Sequence, residues 1–308
     1  MKGLELARAY WEEYGKPLFT ERFPELMPYI AAGLAGSGSE CYGYDDGLSA
    51  DHDFEPGFCI FLPGEELVVR REEFELERAY RSLPADFEGY HRSPMNPAGG
   101  ARHGVFRTTE WFARMTGIPG APSGWEDFLS VPESALAEAL NGEVFYDGYG
   151  EFSAIRNAWL PPRDVVLKKL CGLLITMSQA GEYNYPRCTE RGDSPAACLA
   201  ADEFVRACAG AALWTESRPA PYYKWLFRAL SDVPNTASLK DVLGRILLRE
   251  NISENIALAC NETAELLKLK GFASCQGGDL QRIALNLNDS ISDASLRNIS
   301  PLAAVRFD

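Results

Sequence analysis

Two aspartates at alternate positions, Asp51 and Asp53, follow a turn made of Gly36, Ser37, Gly38 and Ser39. In an extended segment alternate side chains share one face, so the two carboxylates point the same way. Carboxylates that close repel, and each raises the other's proton affinity. A divalent cation removes that penalty. Magnesium, which accepts oxygen ligands and shares them with substrate phosphates, is the expected ion. Two ions about 3.5–4 Å apart can clamp the attacking and leaving oxygens of an in-line displacement. Glycine lets the backbone approach a phosphate closely, and serine adds a hydroxyl donor. Gly38 and Ser39 give the best register for this, with Ser39 twelve residues before Asp51; Gly36 and Ser37 are the alternative.

The elements that must position these residues are legible as alternating helical and extended patterns. A helix is expected over 2–16 and another from about 22–25. The apolar run 30–35 reads as a strand that ends in the Gly-Ser turn. GFCIFL (57–62) reads as a second, buried strand closed by Pro63-Gly64. A charged helix over 70–82, a loop over 84–101, a strand over 103–108 with a helix through Met115, a helix over 132–141 and a short strand over 144–146 complete this half. After Pro161-Pro162, which pre-sets a first helical turn, helices are expected at 163–180, 194–214, 220–230, 238–249, 252–269 and 278–288, with no strand. The fold class is therefore α+β: a small mixed-sheet domain over 1–158, followed by an all-helical domain over 159–308.

The Gly-Ser turn followed by Asp-x-Asp on the next strand resembles the nucleotidyltransferase superfamily, which includes polymerase-β-like enzymes, antibiotic nucleotidyltransferases and small antitoxin-type AMP transferases. The stretches GEVFYDGYGEFSAIR (142–156), LKKL (167–170), QAGEYNYPRCTERGD (179–193) and PYYKWLFRAL (221–230) look like a bacterial uncharacterised-domain family within it. The resemblance implies a nucleotidyltransferase-type sheet domain that moves a nucleoside monophosphate from a triphosphate, with ATP the expected donor. Given the acidic balance, the expected acceptor is the hydroxyl of a small molecule, with pyrophosphate as the leaving group. The resemblance also implies a third carboxylate on a later strand. The strand over 103–108 has none, and Glu110 just beyond it is the nearest candidate. Two further readings share the motif: an AMP transferase or antitoxin acting on a protein tyrosine, and a catalytically weak nucleotide-binding regulatory module.

Several residues of the second half carry open alternatives. Lys168 and Lys169 either reach the triphosphate, as the resemblance implies, or form a solvated face in which Lys168 pairs with Asp164 four residues earlier. The run 179–187 reads as a connector between helices. In it Glu182 is a candidate base, Tyr183 and Tyr185 candidate stacking partners, and Arg187 a phosphate ligand; the alternative is a hydrogen-bonded junction. Tyr223, beside Tyr222, Lys224 and Trp225, either walls a substrate pocket or packs in a core. Arg191-Gly192-Asp193 reads as a turn and N-cap. His91 and His103 have no metal-ligand spacing.

Composition bounds the rest. The 308 residues carry a net charge of −14, with 46% hydrophobic and 24% charged residues. That acidity opposes long contacts with DNA or RNA. The eight cysteines form no C-x-x-C pair, and several lie in apolar helical runs. No run is apolar enough to span a bilayer, and the expected location is the reducing cytoplasm.

Overall fold

The computed structural model describes residues 1–47, 55–92, 102–273 and 279–306. The chain divides into two compact units and enters the second one twice. The first holds Met1–Pro122 and Glu138–Leu160; the second holds Ser123–Ala137 and Pro161–Asp308.

The first unit is built on a four-stranded mixed sheet: β1 (Ala31–Leu34), β2 (Cys59–Leu62), β5 (Gly104–Arg107) and β6 (Glu143–Asp147), in the order β5-β2-β1-β6. β1 runs antiparallel to β2 and to β6, while β2 and β5 are parallel. A parallel pair needs a crossover, and α3 (Arg70–Arg81) lies on it. The segment expected to be a loop contains a two-residue hairpin, β3 (Asp86–Phe87) with β4 (Tyr90–His91).

Both faces of β2 are covered, which explains why GFCIFL is continuously apolar rather than alternating. Phe58, Ile60 and Leu62 pack with Leu6, Tyr10, Trp11, Leu76 and Tyr80. Phe61 faces the other way and stacks on Phe152 of α7 (Glu151–Ala158) at 3.9 Å between centroids, with Trp111 of α4 (Thr108–Thr116) edge-on.

The N-terminal helix is longer than its pattern suggested. α1 (Gly3–Tyr10) passes through a widened π turn, Trp11–Gly15, into α2 (Lys16–Arg22). Pro17 has no N–H to continue the ladder, and the wider turn absorbs the interruption. No helix starts at 22–25: Arg22 is the last residue of α2, and Phe23–Glu25 form the cap and turn that follow it.

The second unit is helical. It comprises α5 (Trp125–Ser130), the first residues of α6 (Glu133–Leu140), and α8 (Arg163–Met177), α9 (Tyr185–Glu190), α10 (Ser194–Trp214), α11 (Tyr223–Ser231), α12 (Ala237–Leu247), α13 (Ile252–Leu269), α14 (Leu280–Asp289) and α15 (Ala294–Asn298). α8 is buried on almost every side and packs on α10 and α14. Ala197, Ala200, Ala201, Ala207, Ala209, Ala211 and Ala212 give α10 a flat surface for close approach. Asp193 caps α10, accepting from the Ala196 N–H at 3.1 Å, as the Arg-Gly-Asp turn predicted. Among the described residues, no helix is long and apolar enough to cross a membrane.

Candidate functional site

Strand register brings four chain segments to one end of the sheet. Gly33 pairs with Cys59, so β2 begins where β1 ends. Cys59 pairs with Gly104 in parallel, so β5 begins there too. Leu34 pairs with Glu143, so β6 begins at the same end. The Gly-Ser turn, Glu55–Phe58, Arg102–His103 and Asn141–Gly142 therefore share one edge.

The turn is held by side chains from these neighbours. Gly36 and Gly38 have φ of +107° and +133°, conformations that favour glycine. The Asn141 side chain binds both the N–H and the C=O of Gly36, each at 2.8 Å, and so continues the ladder one step beyond the strand. Ser37 donates its hydroxyl to Glu138 at 2.8 Å. Arg102 donates to the Ser37 carbonyl at 2.9 Å and forms an ion pair with the buried Glu40 carboxylate. The pair lies against Gly38, where a Cβ would collide with both side chains. Ser39 opens a short 3-10 turn, Glu40–Tyr42, and its carbonyl accepts from the N–H groups of Tyr42 and Tyr44.

On the β2 and β5 side, the His103 ring lies over Gly57, where a Cβ would stand 2.6 Å from it. His103 Nδ1 is 3.5 Å from Glu55 Oε1, and makes no hydrogen bond. Burial pushes the Cys59 thiol up to about 12, so it stays protonated. Among the described residues, no group of three or more His, Cys, Asp and Glu side chains could hold a metal ion. Asp51, His52 and Asp53 lie outside the described residues; Glu55 follows Asp53 by two positions.

Glu110 is a correction. It stands in the first turn of α4, after the C-terminal end of β5, where Arg107 pairs with Leu62. That is the end of the sheet opposite the Gly-Ser turn. Its exposed carboxylate binds Arg70 at 2.8 Å.

Lys168 and Lys169 are a second correction: both are fully buried, so neither is a solvated face or an available phosphate ligand. Lys168 Nζ donates to Asn288 Oδ1 at 2.8 Å, to the Arg297 carbonyl at 3.2 Å and to the Ile299 carbonyl, which ties α8 to the end of α15. Asp164 is not its partner and accepts instead from the N–H groups of Ser292 and Asp293. Lys169 Nζ lies 3.7 Å from Glu133 Oε1 and makes no hydrogen bond. Burial lowers its proton affinity, and Glu133 opposes that shift.

The run 179–187 is not a connector. A π turn, Ser178–Asn184, joins α8 to α9 without a break. Glu182 and Tyr183 are exposed on it, Tyr185 is half-buried, and the Arg187 guanidinium lies 4.8 Å over the Tyr183 ring. These residues belong to the second unit. Tyr223 opens α11 with its ring 4.2 Å from that of Tyr222, and it lines a pocket with Glu133.

Arg102 and Glu55 at the sheet edge, and Glu133 in the pocket lining, were not singled out by the sequence reading, which noted His103 only for its lack of metal-ligand spacing. A helix between two strands does signal a parallel pair. From that signal, the residues before β5 share an edge with those before β2.

A family model described as a domain of unknown function, DUF4037, matches residues 128–226. No curated protein and no solved structure matches the chain.

Proposed function

We propose that the first unit transfers a nucleoside monophosphate, with ATP as donor, to the hydroxyl of a small-molecule acceptor. The observation that carries this reading is the shared sheet edge. β1 delivers the Gly-Ser turn to the same end at which the chain following Asp-x-Asp enters β2. The Gly38 and Ser39 turn holds the terminal phosphates, and Asp51 and Asp53 hold magnesium, whose charge when bound neutralises the triphosphate. Glu55 replaces Glu110 as the third carboxylate. Its position next to His103 at this edge suits it to take the proton of the attacking hydroxyl as that oxygen bonds to the α-phosphorus and pyrophosphate departs.

The test is pyrophosphate release from ATP and magnesium across a panel of small hydroxyl acceptors. Glu55→Gln is expected to lower turnover by roughly 10²–10⁴-fold, the ordinary contribution of a general base, while Glu110→Gln leaves it unchanged. Turnover that follows Glu110 and ignores Glu55 would contradict the assignment. A second reading, a nucleotide-binding module without turnover, is favoured by one observation: Glu40, the buried carboxylate nearest the turn, is already closed on Arg102. Saturable ATP binding with no release from any acceptor selects it.

A further inference from the structure

Leu140, Asn141 and Gly142 join α6 to β6. The half-buried Arg156 of α7 donates to the carbonyls of Leu140 and Gly142, at 2.6 and 3.1 Å. One guanidinium nitrogen thus grips the backbone on both sides of Asn141. The Gly142 N–H donates to the Cys41 carbonyl at 2.8 Å. Gly142 has a φ of +73°, and a Cβ there would run into the Leu34 carbonyl at the end of β1.

With its flanks fixed, Asn141 closes on the Gly-Ser turn at two points. Its Oδ1 accepts from the Gly36 N–H and its Nδ2 donates to the Gly36 carbonyl, each at 2.8 Å. An acceptor and donors on one short planar group allow both bonds at once. The clamp sorts the donors of the turn. The Gly36 N–H is taken, whereas the N–H groups of Ser37, Gly38 and Ser39 have no partner among the described residues. Ser37 is exposed, and Gly38 and Ser39 are half-buried. Successive N–H groups in a turn form an anion-binding concavity. A concavity held ready costs less to fill than one ordered by its ligand.

We propose that Asn141, braced by Arg156, is a positioning residue for this turn: it fixes Gly36 so that the next three N–H groups stand ready for the terminal phosphates. The proposal rests on nucleotide transfer by the first unit, and its first link, the brace itself, is testable without nucleotide.

Amide hydrogen exchange of the ligand-free full chain tests the brace. The Gly36 N–H should be protected in the parent and lose protection in Asn141→Ala. It should also lose protection in Arg156→Ala, which leaves both Gly36 contacts in place. Arg156→Lys should recover part of that loss, because an ammonium keeps donors without the planar fork. Asn157→Ala, exposed on the same helix, should change nothing. If Arg156→Ala shows no cooperative thermal transition, Arg156→Lys carries the comparison with the parent. Steady-state pyrophosphate release tests the link to phosphate. Asn141→Ala should raise KM for magnesium ATP roughly tenfold and leave kcat within about twofold, the mark of lost ground-state binding. A merely destabilised chain would lose kcat through its folded fraction and keep its KM. Unchanged Gly36 exchange in the Asn141 and Arg156 variants, or a fall in kcat at constant KM, would overturn the proposal. No release by the parent, with Gly36 exchange raised in the variants, would sink the transfer reading while upholding the brace.

Discussion

Gly38 is the residue at which the sheet edge tolerates least. Its φ is +133°, and a Cβ would collide with the Arg102 guanidinium and the Glu40 carboxylate. Gly43, four residues beyond Ser39, also has positive φ but open space around it. Gly38→Ala should therefore cost about 1–3 kcal/mol, and Gly43→Ala about 1 kcal/mol. Urea unfolding of the two variants checks the order. The thiols give a second prediction. Burial pushes Cys59 and Cys208 up to about 12, from an ordinary 9.0. A disulfide-exchange reagent at about pH 8 should modify the half-buried Cys188 and Cys198 well before them. Between 9 and about 12 the folded chain keeps protons on these two thiols that the unfolded chain releases. Their contribution to stability is therefore complete below 9 and lost as pH rises through that window; unfolding free energies across that range measure it. The Gly-Ser turn at the end of β1 was legible from the sequence, while Asp51 and Asp53 lie outside the described residues. Glu110 was read from spacing, which does not give strand direction; the parallel run of β5 places it at the end of the sheet opposite the Gly-Ser turn.

At the scale of elements, the same device occurs twice. Each long helix widens into a π turn just before a proline: Trp11–Gly15 before Pro17, and Ser178–Asn184 before Pro186. Each turn contains a glycine pressed on an aromatic ring, Gly15 on Phe58 and Gly181 on Phe204, where a Cβ would come within 2.5 and 2.4 Å. Glycine and proline in one run read locally as a break. Here, packing against the ring carries the helix through, so 179–187 looked like a connector. Gly181→Ala should destabilise by about 1–3 kcal/mol, the usual cost of overpacking. Phe204→Leu in the same chain should recover part of the loss. Full additivity of the two changes in a double-mutant cycle would mean that the contact does not couple them. By contrast, the start of α8 after Pro161-Pro162 and the strands β1 and β2 were legible, because proline at a helix start and short apolar runs carry local physics that tertiary packing does not override.

The whole molecule is two units whose boundary is not a single point in the sequence. Ser123–Ala137 belongs with the helical unit, although strand β6 follows it. That excursion was not legible, since the contacts that tie it to the helical unit are long-range: Glu133 with the buried Lys169, with the Trp214 indole and with the Ala220 N–H, and Ser130 with Arg306. A fragment beginning at residue 161 removes the carboxylate and leaves an ammonium buried without a counter-charge. It should be less stable than a fragment over 123–308 by about 3–5 kcal/mol, and thermal unfolding of the two compares them. Equal stability would show that the pair contributes nothing to this unit. The central claim belongs to the first unit: Asp51 and Asp53 serve nucleotide transfer at the edge that carries Gly38 and Ser39. Its most direct measurement is pyrophosphate release from ATP and magnesium by the parent chain and by Asp53→Ala. The account predicts release from the parent and its loss, by orders of magnitude, in the variant; equal release from both would contradict it.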